Sequence, residues 1–246
     1  MDYNKNCDEQ YKKIKLSNTN LKRLDENKQK CVYDIFKALY LLNLLKNSVE
    51  LKTDCNNIYF KNAFSCLIES FILMIDNQIR AAYLVLRSSI ESFMKFIILK
   101  LRETVENSNY KIDDRSFSKN KNTIDHIITN NDYLNIFGTS SLILTLKNKY
   151  GCFSSLSHSS TDLIENFNPE YLLNVKNISD SSLMLFYKHF LETIIVYIKL
   201  FIPIFISSFK EWDSSSLTCK LELILSRNQA SKLIKKINKY NNLYNI

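Results

Sequence analysis

Residues 78–105, QIRAAYLVLRSSIESFMKFIILKLRETV, carry the pattern that decides the fold. Apolar side chains recur there at the spacing of an α-helix and leave one polar stripe, which indicates a central helix buried on most of its sides. The whole chain has only two glycines and two prolines in 246 residues. Because sandwiches, barrels and Rossmann folds need many tight turns, this scarcity predicts an all-α protein.

Helical periodicity continues on both sides of this central helix. A hairpin partner is predicted over residues 58–75, with Asp76-Asn77 as the turn between the two helices. The other predicted helices cover residues 21–49, 123–130, 140–158, 181–209 and 217–240, and polar loops cover residues 106–121 and 159–180. We therefore expect a helical bundle within residues 1–213, with its core at about 58–209 and a flanking N-terminal helix. Residues 214–246 are expected to form a basic amphipathic C-terminal helix.

Charge and cysteine content narrow the functional classes. The net charge of +8 favours a polyanionic partner, either nucleic acid or an acidic lipid surface. The six cysteines include no Cys-x-x-Cys pair, so reduced thiols in a cytoplasmic protein are expected, with no metal site. The polar residues 2–15 exclude an ordinary signal peptide.

The apolar stretch 190–209 is long enough to span a bilayer. It contains Glu192, Lys199 and Pro203, and charged side chains are costly in lipid but tolerated between packed helices. A buried core or subunit-interface helix is therefore expected rather than a membrane span. A membrane-acting toxin is kept as the third functional alternative.

The polar stripe of the central helix is the first candidate site. Its residues follow steps of four, three, four and four along the chain, namely Arg80, Leu84, Arg87, Glu91 and Lys95. Two interpretations remain open. Arg87 and Glu91 form a structural ion pair between packed helices, or Arg87 binds phosphate through its planar guanidinium while Glu91 orients it.

A second polar stripe lies in the C-terminal half of the helix predicted over residues 140–158. Lys147, Gly151, Ser154 and His158 share one face of that helix. Gly151 is expected to let a neighbouring helix or a ligand approach closely. His158 either complements the helix dipole or serves as an acid and base near neutral pH, whereas the other two histidines, His126 and His189, are predicted to be structural.

Together these motifs resemble the HEPN superfamily of small α-helical, nucleic-acid-associated proteins, and in particular its bacterial phage-defence and uncharacterised members. The resemblance covers about residues 58–209 and is carried by residues 81–91, AAYLVLRSSIE, and by Tyr-x-x-x-Ser-x-x-Ser-His at residues 150–158. It implies a bundle of about four helices that often dimerises. In active members it implies a metal-independent endoribonuclease without a cofactor, in which arginine and histidine assist attack of the ribose 2′-hydroxyl on the adjacent phosphate.

One common element of the family signature, an arginine separated from the histidine by four to six intervening residues, is absent from this chain. Upstream of His158 the corresponding positions hold Gly151, Cys152 and Phe153. Arg87, on the neighbouring helix, is the candidate that would supply the missing cation, and Lys147 or an arginine of a second copy of the chain are the alternatives.

Two functional hypotheses follow. In the first, the protein is a ribonuclease toxin or phage-defence effector that acts on RNA as a homodimer or with a partner protein of its defence system. Its catalytic residues would be His158, Arg87 and Glu91, and its substrate-binding residues would be Lys147, Ser154, Ser157 and Arg80. In the second, the protein is a non-catalytic scaffold in which Arg87, Glu91 and His158 form a polar network, while the basic C-terminal helix binds nucleic acid or a partner.

Overall fold

The computed structural model describes residues 2–104, 110–157, 180–209 and 212–243, and these residues form helices and connecting turns without a β-strand. The predicted all-α class is confirmed. The described helices are α1 (Tyr3–Ser17), α2 (Thr19–Arg23), α3 (Glu26–Lys46), α4 (Lys52–Cys55), α5 (Ile58–Ile75), α6 (Ile79–Thr104), α7 (Phe117–Thr129), α8 (Asp132–Ile136), α9 (Thr139–Ser157), α10 (Asp180–Ile204), α11 (Ile206–Phe209), α12 (Ser214–Leu221) and α13 (Arg227–Leu243).

The hairpin of α5 and α6 is the centre of the fold, and its predicted bounds are confirmed to within one residue. Asn77 makes the turn with a φ of 62°, a left-handed conformation that asparagine adopts more readily than most residues. Two buried serines tie the helices together. Ser70 Oγ donates to the carbonyl of Ala82, and Ser89 Oγ donates to the carbonyl of Ala63, each at 2.9 Å.

The apolar stretch 190–209 lies inside the protein, where α10 packs against α3, α6 and α9. The ring of Tyr197 stacks on Phe93 of α6, with centroids 3.7 Å apart. The prediction of one continuous helix over 181–209 is wrong, because α10 ends at Ile204 and α11 begins at Ile206. Pro203 lies within the last turn of α10 and has no N–H to donate to the carbonyl four residues earlier, which weakens the helix close to this break.

Among the described helices, α5 is the one that is long and apolar enough to cross a membrane. One third of its residues are buried within the protein. Residues 190–209, whose apolar sequence raised the possibility of a membrane span, do not form a helix long and apolar enough to cross a membrane.

At the N-terminal end, the predicted helix over 21–49 is two helices, α2 and α3, and it is preceded by α1. Capping side chains explain the divisions. Asp2 accepts from the backbone N–H of Lys5 at 3.1 Å and starts α1, and Asp25 accepts from that of Lys28 at 2.9 Å and starts α3. An aspartate at the N-cap stabilises a new helix start, so the polar residues of this region begin helices.

The same effect moves the start of α7. Helix was predicted from residue 123, but α7 begins at Phe117. Ser116 Oγ accepts from the N–H of Lys119 at 3.2 Å, and Asp113 Oδ1 accepts from that of Ser116 at 2.8 Å. The polar residues predicted as loop therefore include the cap of a helix, which brings Phe117 into the bundle.

The C-terminal segment also contains two helices where one was predicted. Ser226 and Gln229 exchange backbone-to-side-chain hydrogen bonds at 3.2 and 3.3 Å, a reciprocal cap that starts α13. The apolar faces of α12 and α13 are buried on the bundle. The only tryptophan, Trp212, lies just before α12. Its ring centroid is 4.9 Å from that of Phe209, and the Lys220 ammonium lies 4.3 Å from the Trp212 ring centroid.

Candidate functional site

Three polar side chains meet where α6 contacts α9, and we call them the Arg–Glu–Tyr cluster: Arg87, Glu91 and Tyr150. Arg87 Nη2 donates to the Tyr150 hydroxyl at 2.8 Å, and that hydroxyl donates to Glu91 Oε1 at 2.7 Å. Arg87 Nη2 also lies 3.4 Å from Glu91 Oε1. The tyrosine oxygen therefore links the cation and the carboxylate.

Helix geometry and aromatic packing position this cluster. Arg87 and Glu91 are four residues apart on α6, so their side chains leave the helix on one face. Phe117, the first residue of α7, stacks on the ring of Tyr150 with centroids 3.8 Å apart and an interplanar angle of 6°. The Arg87 guanidinium carbon lies 4.8 Å from the centroid of the same ring. The tyrosine is thus fixed by both a ring and a cation.

The Arg–Glu–Tyr cluster reaches the protein surface. The Arg87 side chain is 23% exposed and that of Glu91 is 39% exposed. Burial raises the pKa of Tyr150 above its ordinary value of 10.0, and the bond to Glu91 acts in the same direction while Arg87 opposes it. Tyr150 is therefore a neutral hydrogen-bond donor at neutral pH. A guanidinium held by a carboxylate at a surface has the chemistry of a phosphate-binding group.

The other predicted site residues are spread along α6 and α9. Arg80 is exposed two turns before Arg87, and Lys147 is exposed about one turn before Tyr150. Ser154 is half-buried, and its backbone carbonyl accepts a hydrogen bond from the Ser157 hydroxyl at 3.1 Å within the helix.

Of the predicted residues, the described contacts bring Arg87 and Glu91 together and do not join Lys147 or Ser154 to them. His158 follows α9 directly in the sequence and lies outside the described residues.

No described helix packs closely against Gly151, so of the two predicted neighbours, a helix or a ligand, the described residues do not provide the helix. Gly151 is exposed, and a β-carbon placed on it would meet no heavy atom within 4 Å. This side of α9 is therefore open with respect to the described residues, and a β-carbon is accommodated there.

A second polar group, between α9 and α10, was not expected from the sequence. Lys149 Nζ and Glu192 Oε2 form an ion pair at 2.7 Å, and His189 Nδ1 shares a hydrogen bond with the Tyr83 hydroxyl at 3.1 Å. Burial, with Lys149 acting in the same direction, lowers the pKa of His189, while Glu192 opposes this. His189 was predicted to be structural, and its described contacts are with the Tyr83 hydroxyl and the rings that pack around it.

These contacts had a signal that sequence reasoning could have used. Lys149 and Tyr150 are consecutive on α9, so they must point to different neighbours, here α10 and α6. His189 and Glu192 are three residues apart on one face of α10.

Within the described parts of the chain, no group of three or more His, Cys, Asp or Glu side chains could hold a metal ion. All six cysteines are free.

Comparison with protein-family models, curated proteins and solved structures gives no match for this chain. The HEPN resemblance therefore stays a prediction from two sequence motifs, and the function is argued from the geometry of the Arg–Glu–Tyr cluster.

Proposed function

We propose that this protein is an RNA-acting, HEPN-like toxin or phage-defence effector of the cytoplasm, and that it is a metal-independent endoribonuclease. The observation that carries the proposal is the position of Arg87, held at the protein surface by Glu91 and Tyr150 at 3.4 and 2.8 Å. A positioned arginine stabilises the charge that develops on a phosphate under attack, without a metal ion.

In the proposed reaction the ribose 2′-oxygen attacks the adjacent phosphorus, and the bond from phosphorus to the 5′-oxygen breaks. The products are a 2′,3′-cyclic phosphate and a 5′-hydroxyl end. His158 takes the proton from the 2′-hydroxyl or gives one to the leaving 5′-oxygen, since imidazole titrates near neutral pH. Arg87 neutralises the non-bridging phosphate oxygens, and Glu91 and Tyr150 fix its orientation.

Exposed cations on the same two helices support binding of a longer RNA strand. Arg80 precedes Arg87 by two turns on α6, and Lys147 precedes Tyr150 by about one turn on α9. Exposed cations attract the phosphate backbone without requiring a fixed partner. Ser154 and Ser157 are proposed to contribute hydrogen bonds to the substrate.

The test is cleavage of end-labelled RNA by the full chain in the presence of a chelator. Arg87→Ala and His158→Ala are expected to lower the cleavage rate by about a hundredfold or more, and Arg87→Lys should restore only part of it, because lysine lacks the planar fork. Arg102→Ala is the matched control, since it removes a half-buried arginine from the end of the same helix. Undiminished cleavage by both Arg87→Ala and His158→Ala, or dependence on an added metal, would overturn the assignment.

One observation favours the second candidate, a non-catalytic HEPN-like binding module. Arg87 already has a carboxylate and a hydroxyl partner inside the protein, as in a structural polar network. This alternative predicts RNA or protein binding without any cyclic-phosphate product from the wild-type chain. Analytical ultracentrifugation of the same samples would test the proposed homodimer.

A further inference from the structure

A cavity of about 310 Å³ lies away from the Arg–Glu–Tyr cluster, where the start of α9, the end of α10 and α13 meet. We call it the lysine cavity because three lysines line it: Lys199, Lys232 and Lys236. Its other walls are formed by Phe137, Gly138, Ser141, Leu142, Gln229 and Leu233. None of these residues, which include every described lining residue, carries a carboxylate.

Within the described parts of the chain, no side chain compensates the positive charge of the lysine cavity. No ion pair or hydrogen bond joins any of its three lysines to a described residue. Lys232 and Lys236 are four residues apart on α13, a spacing at which like charges repel. Lys199 extends from an apolar helix whose adjacent residues, Ile198 and Leu200, are 1% and 0% exposed. Because no lining residue carries a carboxylate, a bound anion would be the opposite charge that these lysines lack.

We propose that the lysine cavity binds the di- or triphosphate group of a small phosphorylated ligand. Three ammonium groups match the charge of a short phosphate chain better than that of one phosphate. The apolar walls of Phe137, Leu142 and Leu233 suit a sugar or a base attached to that chain. A cavity bounded by three helix segments accommodates such a ligand, whereas a nucleic-acid strand needs an extended basic track.

The lysine cavity is a separate site, and the inference goes beyond the proposed ribonuclease function. Leu142 and Tyr150 are eight residues apart on α9, which places them about 12 Å apart along its axis. Tyr150 contacts α6 and α7, whereas Leu142 lines the cavity with α10 and α13. A ligand in the cavity would therefore not occupy the Arg–Glu–Tyr cluster, and the two proposals can fail independently.

Isothermal titration calorimetry on the full chain tests the proposal, with sodium tripolyphosphate, pyrophosphate, orthophosphate, ATP and a short single-stranded RNA as probes. Tripolyphosphate and ATP are expected to bind more tightly than orthophosphate. Tighter binding of ATP than of tripolyphosphate would assign the ligand to the nucleotides, and equal binding would assign it to the phosphate chain alone. Lys199→Gln and the double variant Lys232→Gln/Lys236→Gln should each weaken tripolyphosphate binding, by about tenfold or more for each lysine lost.

The matched control is the double variant Lys235→Gln/Lys239→Gln, which removes the same net charge from two exposed positions of α13 that do not line the cavity. It should change tripolyphosphate affinity by less than about threefold, as expected for general electrostatics. Equal losses in the two double variants would overturn the proposal, as would binding of RNA without binding of tripolyphosphate. If Lys199→Gln does not fold by circular dichroism, Lys232→Gln/Lys236→Gln decides the test, because it changes one exposed and one half-buried side chain of α13.

Discussion

The Tyr150 hydroxyl is the atom whose removal tests the candidate site most directly. It bonds Arg87 at 2.8 Å and Glu91 at 2.7 Å, and the Tyr150 ring is separately fixed by its stack on Phe117. Tyr150→Phe keeps the ring and deletes one oxygen. The direct contact of 3.4 Å between Arg87 and Glu91 remains available. The variant therefore isolates the bridging interaction.

The expected loss follows from this geometry. Two hydrogen bonds to charged groups contribute about 3–6 kcal/mol when fully buried. Here the Glu91 side chain is 39% exposed, so water replaces much of what is lost, and exposed ion pairs contribute little. We expect the free energy of unfolding to fall by about 1 kcal/mol, which corresponds to a decrease in melting temperature of about 2–4 °C for a chain of this size.

Urea unfolding of four proteins measures the interaction: wild type, Tyr150→Phe, Glu91→Gln and the double variant. A coupling energy of about 0.5–1 kcal/mol between the two positions is expected. Tyr59→Phe is the control, because that half-buried hydroxyl makes no hydrogen bond to a described residue. In the RNA assay Tyr150→Phe should slow cleavage and Tyr59→Phe should not. An unfolding free energy equal to that of wild type, together with zero coupling, would refute the described geometry of the cluster.

Three further outcomes are expected. Gly151→Ala should raise the free energy of unfolding by about 0.5–1 kcal/mol, because the position is helical and open. Gly138→Ala should lower it by about 1 kcal/mol or more, since Gly138 has a φ of 68°. Differential scanning calorimetry measures both changes, and equal shifts in melting temperature would contradict the described backbone. Ser89→Ala should cost about 1–3 kcal/mol in urea unfolding, because it removes the hydrogen bond to the Ala63 carbonyl and leaves the buried Tyr197 hydroxyl, 3.1 Å from Ser89 Oγ, without that partner. A neutral result would mean that these buried bonds are not formed. The pKa of His189 is lowered from 6.5, so the unfolded chain binds the proton first and the His189 contribution to stability is lost as the pH falls below about 6.5 through the folded pKa. His189→Gln should flatten this part of a urea-midpoint profile, and a profile identical to that of wild type would exclude the mechanism.

The central hairpin was predicted from the sequence because its apolar spacing and its turn residues indicate the same structure. The apolar period of α6 spans more than seven turns, and α5 and α6 are joined by a turn whose Asn77 accepts a positive φ. Most errors in the helix boundaries concern polar segments. Asp25, Ser116 and Ser226 start helices in places where polarity alone indicates a loop or a continuous helix. The same residue types, aspartate, asparagine and serine, are favoured both at helix N-caps and in loops, so only the backbone geometry distinguishes a cap from a loop.

The candidate site was predictable only in its local part. Arg87 and Glu91 meet because they are four residues apart on one helix, which the sequence specifies. Tyr150 meets them because of how α9 is rotated against α6, and Phe117 joins because α7 starts earlier than predicted. Rotation between helices is set by the packing of many side chains at once. A single sequence does not reveal it.

The surroundings of Trp212 give the protein an intrinsic optical reporter. The only indole of the chain lies between Phe209 at the end of the bundle and the Lys220 ammonium of α12. Its fluorescence therefore responds to the position of the C-terminal segment. Emission that shifts before the far-ultraviolet circular dichroism changes would mark release of α12 and α13 from an intact bundle, so undocking of the basic segment and unfolding of the domain can be followed separately without any attached dye.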